Sequence, residues 1–288
     1  MERIIKANGV DLCAETFGDP SAPPILLIGT TMLTWPDDLC ERLAALRRFA
    51  VRYDQRDTGR SESADPEAPR YTLRDLVADA AGVLDAFGLP SAHVAGFGVG
   101  GWIAQLLALD HPARVTTLTL IATRPTAPGP ADADLPEHAP ELMAGFMKPP
   151  RVDWTDRESV VAFQVENARR MSGPSFDEAE ARAGVERIWD RTVTKGADPG
   201  KAHRANQMGT VFASLDSGDR WRERLPEITA PTLVVHGEDD PFFPLGNGRA
   251  LAAEIPSAEL LVLPGTGSEL PRRTWDTVVP ALLRHTTA

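Results

Sequence analysis

The chain has 288 residues, of which 42% are hydrophobic, and a formal net charge of −11. That length fits one large α/β domain with a sizeable core, and no apolar run nears the roughly 20 residues of a membrane span. An acidic surface without a basic stripe excludes nucleic acid and anionic membranes as partners.

The opening residues, Met1-Glu2-Arg3-Ile4-Ile5, lack the basic-then-apolar pattern of a signal peptide, so a soluble, cytoplasmic protein is expected. Cys13 and Cys40 are the only cysteines and are expected as buried free thiols. The histidines show no ligand spacing such as HExxH, so no metal site is expected.

In chain order, strands are predicted at 3–6, 12–17, 25–28, 50–53, 93–96 and 117–122, with helices at 37–47, 73–87 and 100–109. Continuous apolar runs such as Pro24-Ile25-Leu26-Leu27-Ile28 suit strands of a parallel sheet covered on both faces. Thr72 with Asp75 reads as a helix start. Residues 123–149 are rich in proline, and the stretch to about 224 is polar and helical. Strand-like segments resume at 232–236 and 259–263, and a helix closes the chain at 275–285. The expectation is an α/β fold with a mostly parallel sheet, its core in 1–122 and 226–288. Residues 123–225 then form a helical lid at the strand ends, where ligands bind in open α/β sheets.

The segment Val94-Ala95-Gly96-Phe97-Gly98-Val99-Gly100-Gly101 resembles the nucleophile elbow, Gly-x-Ser-x-Gly, of α/β-hydrolases. Gly96 and Gly100 match its flanking glycines, and Gly98 stands where that pattern has serine. The run 25–30 resembles the strand and turn that supply one oxyanion donor. Residues 53–61 resemble the Asp-x-Arg-x-x-Gly-x-Ser turn. Gly237-Glu238-Asp239-Asp240-Pro241 resembles the acid turn, with Asp240 as the acid. Residues 264–271 resemble the histidine loop, with Ser268 where histidine is usual. Within the superfamily the chain looks most like the aclacinomycin methylesterase group, tailoring esterases of aromatic polyketide antibiotics. That likeness rests on Trp35-Pro36-Asp37, on residues 56–61 and on Ala108-Leu109-Asp110-His111.

The resemblance implies a degenerate triad, Gly98…Asp240…Ser268. Gly98 has no side chain to attack a carbonyl, and Ser268 is no base near neutral pH, so the acyl-enzyme route is closed. The backbone N–H groups of Thr30 and Val99 remain as oxyanion donors, which also suit an enolate, phenolate or carbanion. The expectation is therefore a non-hydrolytic enzyme of secondary metabolism. It would act on a polyketide-like or aromatic small molecule by cyclisation, aldol or dehydration chemistry, or decarboxylation.

Two alternatives stay open: a non-catalytic ligand-binding protein, and an esterase with a displaced nucleophile, for which Thr30, Thr31 and Ser268 are candidates. His203, with Arg204 and Asp216, is the candidate acid–base group of the lid. Asp57 is read as structural, and His93 and His236 as core histidines. Trp35, Phe97 and Trp154 are candidate ligand contacts, whereas Trp102 reads as core. No cofactor is implied, since the glycines at 96–101 do not space as Gly-x-Gly-x-x-Gly. A small molecule is the expected partner, and a homodimer is left open.

Overall fold

The computed structural model describes residues 2–63, 69–192 and 198–287, with the backbone alone at 208–212. Its strands are β1 (Arg3–Ala7), β2 (Val10–Phe17), β3 (Pro24–Ile28), β4 (Phe49–Tyr53), β5 (Ala92–Phe97), β6 (Val115–Ile121), β7 (Thr232–Gly237) and β8 (Ala258–Leu263). They form one 8-stranded sheet in the order β1-β2-β4-β3-β5-β6-β7-β8. β2 pairs antiparallel with β1 and β4, and every other pairing is parallel. Asn8 and Gly9, both at positive φ, form the tight β1–β2 turn, where the backbone twist favours this residue pair.

Alternation along β3 shows how the sheet divides the core. Leu26 and Ile28 face one apolar cluster, which helices α2 (Leu73–Ala86), α3 (Val99–Asp110) and α8 (Gly246–Glu254) complete. Ile25 and Leu27 face the other, built on α1 (Asp37–Ala45) and α9 (Trp275–His285). Each such side chain contributes about 1.5–3 kcal/mol relative to exposure. At the start of α2, Thr72 and Asp75 form the capping box expected from their spacing, with Thr72 N donating to Asp75 Oδ2 at 2.9 Å. Cys13 and Cys40 are buried and free. No helix among the described residues is long and apolar enough to cross a membrane.

Between β6 and β7 lie α4 (Pro140–Met147), α5 (Arg157–Met171), α6 (Glu178–Arg191) and α7 (Pro199–Leu215). Asp156, Asp177 and Asp198 cap the last three, each accepting from a backbone N–H of the first turn. β3 sits between β4 and β5, so the chain steps from β3 to one side for β4 and then crosses to the other side for β5. Such a switch opens a crevice at the carboxyl ends of the two strands, where the candidate site is built.

Candidate active site

β5 ends in a sharp turn whose tip is Gly98, at φ 57° and ψ −116°, and α3 begins at once. This strand–turn–helix geometry is that of a nucleophile elbow, with glycine at its tip. Three hydrogen bonds hold it. Gly98 N donates to Ile121 O at 3.0 Å, while Gly98 O accepts from Gly101 N at 3.0 Å and Thr123 Oγ1 at 2.9 Å. The flanking glycines answer to crowding. A Cβ on Gly96 would collide with the Gly100 carbonyl, and one on Gly100 with the Ile28 carbonyl. A Cβ on Gly98 would meet nothing within 4 Å, so the tip faces open space.

Val99 is the first residue of α3, so its N–H has no intrahelical acceptor and lies at the positive end of the helix dipole. Thr30 follows β3, whose Ile28 pairs with Gly96 of β5, so the two loops emerge side by side. The turn at residues 54–61 braces the β3 loop from below. Gln55 Nε2 donates to Gly29 O and Thr58 Oγ1 to Thr30 O, each at 3.2 Å, and Asp54 Oδ1 accepts from Met32 N at 2.9 Å. Asp57 is buried and accepts from Tyr71 Oη at 2.7 Å, a structural post as expected.

Asp240 stands in the turn after β7, almost wholly buried. Its Oδ1 accepts from Phe242 N at 2.9 Å and Phe243 N at 2.8 Å, while its Oδ2 is buried without a hydrogen-bond partner. His236 of β7 comes within 3.5 Å of Oδ2, but its Nε2 lies only 2.6 Å from Phe243 O, which fixes it as that carbonyl's donor. Burial pushes the Asp240 carboxyl up to about 7. The two backbone donors and the Ser268 hydroxyl pull it back, and the nearby Glu269 charge raises it further. Ser268 thus faces the carboxyl without reaching hydrogen-bond geometry at Oδ2. The Ser268 loop is clasped to the end of α5, with Ser268 N donating to Met171 O at 2.7 Å and Ser172 Oγ to Glu269 Oε2 at 2.6 Å.

A cavity of about 300 Å³ lies between the β3 loop and helices α5, α6 and α7. Thr30 and Thr31 border it on one side, and His203 and Trp189 on the other. His203 is buried, and its ring stacks on Trp189 at 3.4 Å and 9°. Burial holds this imidazole below its usual range, and its Nδ1 has no partner.

The three aromatic candidates stand elsewhere. Trp35 is fully buried in the core on the α1–α9 face, Phe97 packs against the same cluster, and Trp154 meets Phe163 edge-on at 5.7 Å. None of them lines this cavity. Asp216 serves through its backbone carbonyl, which accepts from Leu73 N at 3.0 Å. His93 is a core residue bonded to Thr117 Oγ1 at 3.0 Å. Trp102 is buried too, with Nε1 donating to Arg124 O at 3.1 Å.

Sequence reasoning missed two features. The first is the cavity face of the helices between β6 and β7. Val160 and Gln164 of α5, Val185, Ile188 and Trp189 of α6, and His203, Asn206 and Gln207 of α7 all line it. Each set follows the three- or four-residue step of one helix face, so a signal was present. The second is Arg191, the buried last residue of α6, whose Nη1 lies 2.5 Å from Asp54 Oδ2 and whose Nε lies 2.8 Å from Glu2. No local pattern links residues so far apart in the chain.

A family model described as the alpha/beta hydrolase fold matches residues 28–270. Rhodomycin D methylesterase DnrP of Streptomyces peucetius is 31% identical, over 99% of this chain and 98% of its own length. Rhodomycin D methylesterase DauP of Streptomyces sp. strain C5 is 32% identical over the same shares. A solved 2-hydroxy-6-oxo-6-phenylhexa-2,4-dienoate hydrolase from Rhodococcus sp. strain RHA1 superposes with a TM-score of 0.73. It covers 100% of this chain and 99% of that one at 20% identity, a likeness of fold. These relatives are esterases and hydrolases acting on small molecules, and they lend no support to the cyclase or lyase chemistry expected above.

Proposed function

The chain belongs to the α/β-hydrolase family, and on that footing we propose that it hydrolyses a carboxylic ester of an aromatic or polyketide-like small molecule, with water as the attacking group. One observation carries the reading. Asp240 is a buried carboxyl with a free oxygen and a pKa near 7, the affinity a general base needs at neutral pH. Gly98 leaves the elbow tip open, Ser268 is smaller than an imidazole ring, and the attacking water of this reading lies between tip and acid.

In this mechanism Asp240 takes a proton through that water. The hydroxide so formed attacks the ester carbonyl carbon. The N–H groups of Val99 and Thr30 receive the tetrahedral oxyanion, with no side-chain nucleophile and no acyl-enzyme. Collapse breaks the bond to the alcohol, which leaves with the proton returned from Asp240. The acid and the alcohol are the products. His203 sits over the cavity as a neutral group and takes no proton in this scheme.

A second reading, binding without turnover, is favoured by the same Gly98 and Ser268, which supply neither nucleophile nor strong base. Release of p-nitrophenol from short p-nitrophenyl esters separates the two. The hydrolase gives slow turnover without a burst, rising as pH climbs through about 7 and lost in Asp240→Asn. An inert parent beside an active Gly98→Ser, Ser268→His double variant would establish the binding reading instead.

A further inference from the structure

We propose that Gln105 is a positioning residue: it ties both ends of the segment that carries α4–α7 to the elbow helix α3, so that those helices shift over a ligand while Val99 and Asp240 stay in register. That Val99 and Asp240 act on a substrate rests on the hydrolase reading. The tie itself does not.

Gln105 lies within α3 and is fully buried. A primary amide has donors on its nitrogen and an acceptor oxygen, so it can bridge a carbonyl and an N–H. Gln105 does so between distant parts of the chain. Its Nε2 donates to Arg124 O at 3.1 Å, just past β6, and its Oε1 accepts from Trp221 Nε1 at 3.0 Å, on the return toward β7. A carbonyl only accepts and an indole N–H only donates, so the amide has one orientation.

Other contacts fix each end beside this amide. On the outgoing side Thr123 Oγ1 donates to Gly98 O at the elbow tip, and Trp102 Nε1 gives the Arg124 carbonyl a second donor. A Cβ on Gly101 would strike the Thr123 side chain, so α3 needs glycine there to lie this close. On the returning side Leu73 N and the Arg74 guanidinium of α2 donate to the carbonyls of Asp216, Ser217 and Asp219. The same cluster reaches the acid turn. The Phe243 ring meets Trp102 edge-on at 5.8 Å and the Arg124 guanidinium at 5.5 Å, and Phe243 N donates to Asp240 Oδ1. Helices that cover a binding cavity shift as ligands come and go. With both ends anchored on α2 and α3, that shift is confined to the residues between the anchors.

Hydrogen exchange of the whole chain, read by mass spectrometry, tests the tie. Gln105→Met keeps the length of the side chain and removes both bonds. Backbone amides of 122–129 and 216–224 should then exchange about ten-fold faster, while β1 and β2 exchange as in the parent. Trp221→Phe frees the returning end alone and should speed only 216–224. Adding it to Gln105→Met removes the orphaned indole donor, and this double variant replaces Gln105→Met if the single one fails to fold. Unchanged exchange at both ends, or an equal rise over the whole chain, overturns the proposal. The pH profile of p-nitrophenyl acetate hydrolysis gives a second readout. Phe243 N–H favours the charged Asp240 carboxylate, so loosening it in Gln105→Met should move the midpoint above about 7. A smaller folded fraction scales the rate at every pH and leaves the midpoint in place, so an unmoved midpoint also overturns the positioning role. A parent without turnover sinks the hydrolase reading alone, and exchange then decides the tie.

Discussion

Gly98 and Gly100 stand two residues apart and resist substitution for different reasons. Gly100 has no room, because a Cβ would strike the Ile28 carbonyl of the neighbouring strand. Gly98 has room but sits at a positive φ that side chains rarely adopt, which costs about 1–3 kcal/mol. Gly98→Ser should therefore fold with a loss in that range. Gly100→Ala should lose more, because strand and helix must part. Urea titration of both variants checks the order.

At Asp240 the same scale sets a pH dependence. Its carboxyl titrates near 3.8 when unfolded and at about 7 when folded. Between these values the folded chain keeps a proton that the unfolded chain has lost. The stability contribution is full below about 3.8 and is lost as pH rises through 7. Asp240→Asn cannot ionise, so its gain over the parent should be larger at pH 8 than at pH 5, by on the order of 2 kcal/mol. Denaturant melts of both proteins at the two pH values read this directly, and an equal gain would place the carboxyl outside the buried site.

At the scale of elements, the Arg191 side chain ties the end of helix α6 to the turn after β4. Burial alone would lower the Arg191 guanidinium, but Asp54 and Glu2 outweigh it and hold the ion well above its ordinary range. The contact also reaches the site, since Asp54 accepts from Met32 N in the loop that carries Thr30. Arg191→Met removes the counter-charge from a buried carboxyl that burial already raises, and should cost about 3–5 kcal/mol. Adding Asp54→Asn to Arg191→Met should recover part of that loss. Denaturant melts of the single and double variants measure the coupling. The same α6 carries Val185, Ile188 and Trp189 of the cavity wall, so Arg191→Met should also weaken any ligand held there.

Across the whole molecule, histidines shape the acid limb of stability. Burial holds His93, His203, His236 and His285 below the usual imidazole range, with His93 down at about 4. Below about 6.5 the unfolded chain takes up protons that the folded chain refuses, so stability falls with pH from 6.5 toward 4. His93→Gln can still bond Thr117 and carries no titrating ring. Its melting temperature should change less over that interval than the parent's, a comparison made by thermal melts at half-unit steps.

The strands of the α/β core, the Thr72–Asp75 capping box, the burial of both cysteines and the glycine-flanked turn before α3 were all legible in the sequence. Alternation along β3, a cap three residues from its partner, and glycines within one turn act over a few residues, so they survive in a linear reading. The tertiary structure alone decided that Trp35 belongs to the core, that His203 is buried against Trp189, that Arg191 closes on Asp54, and that Asp240 holds its proton to near neutrality. Burial and charge pairing are sums over side chains brought together from distant elements, and those sums exist only once the sheet has assembled and the helices between β6 and β7 have closed over its carboxyl edge.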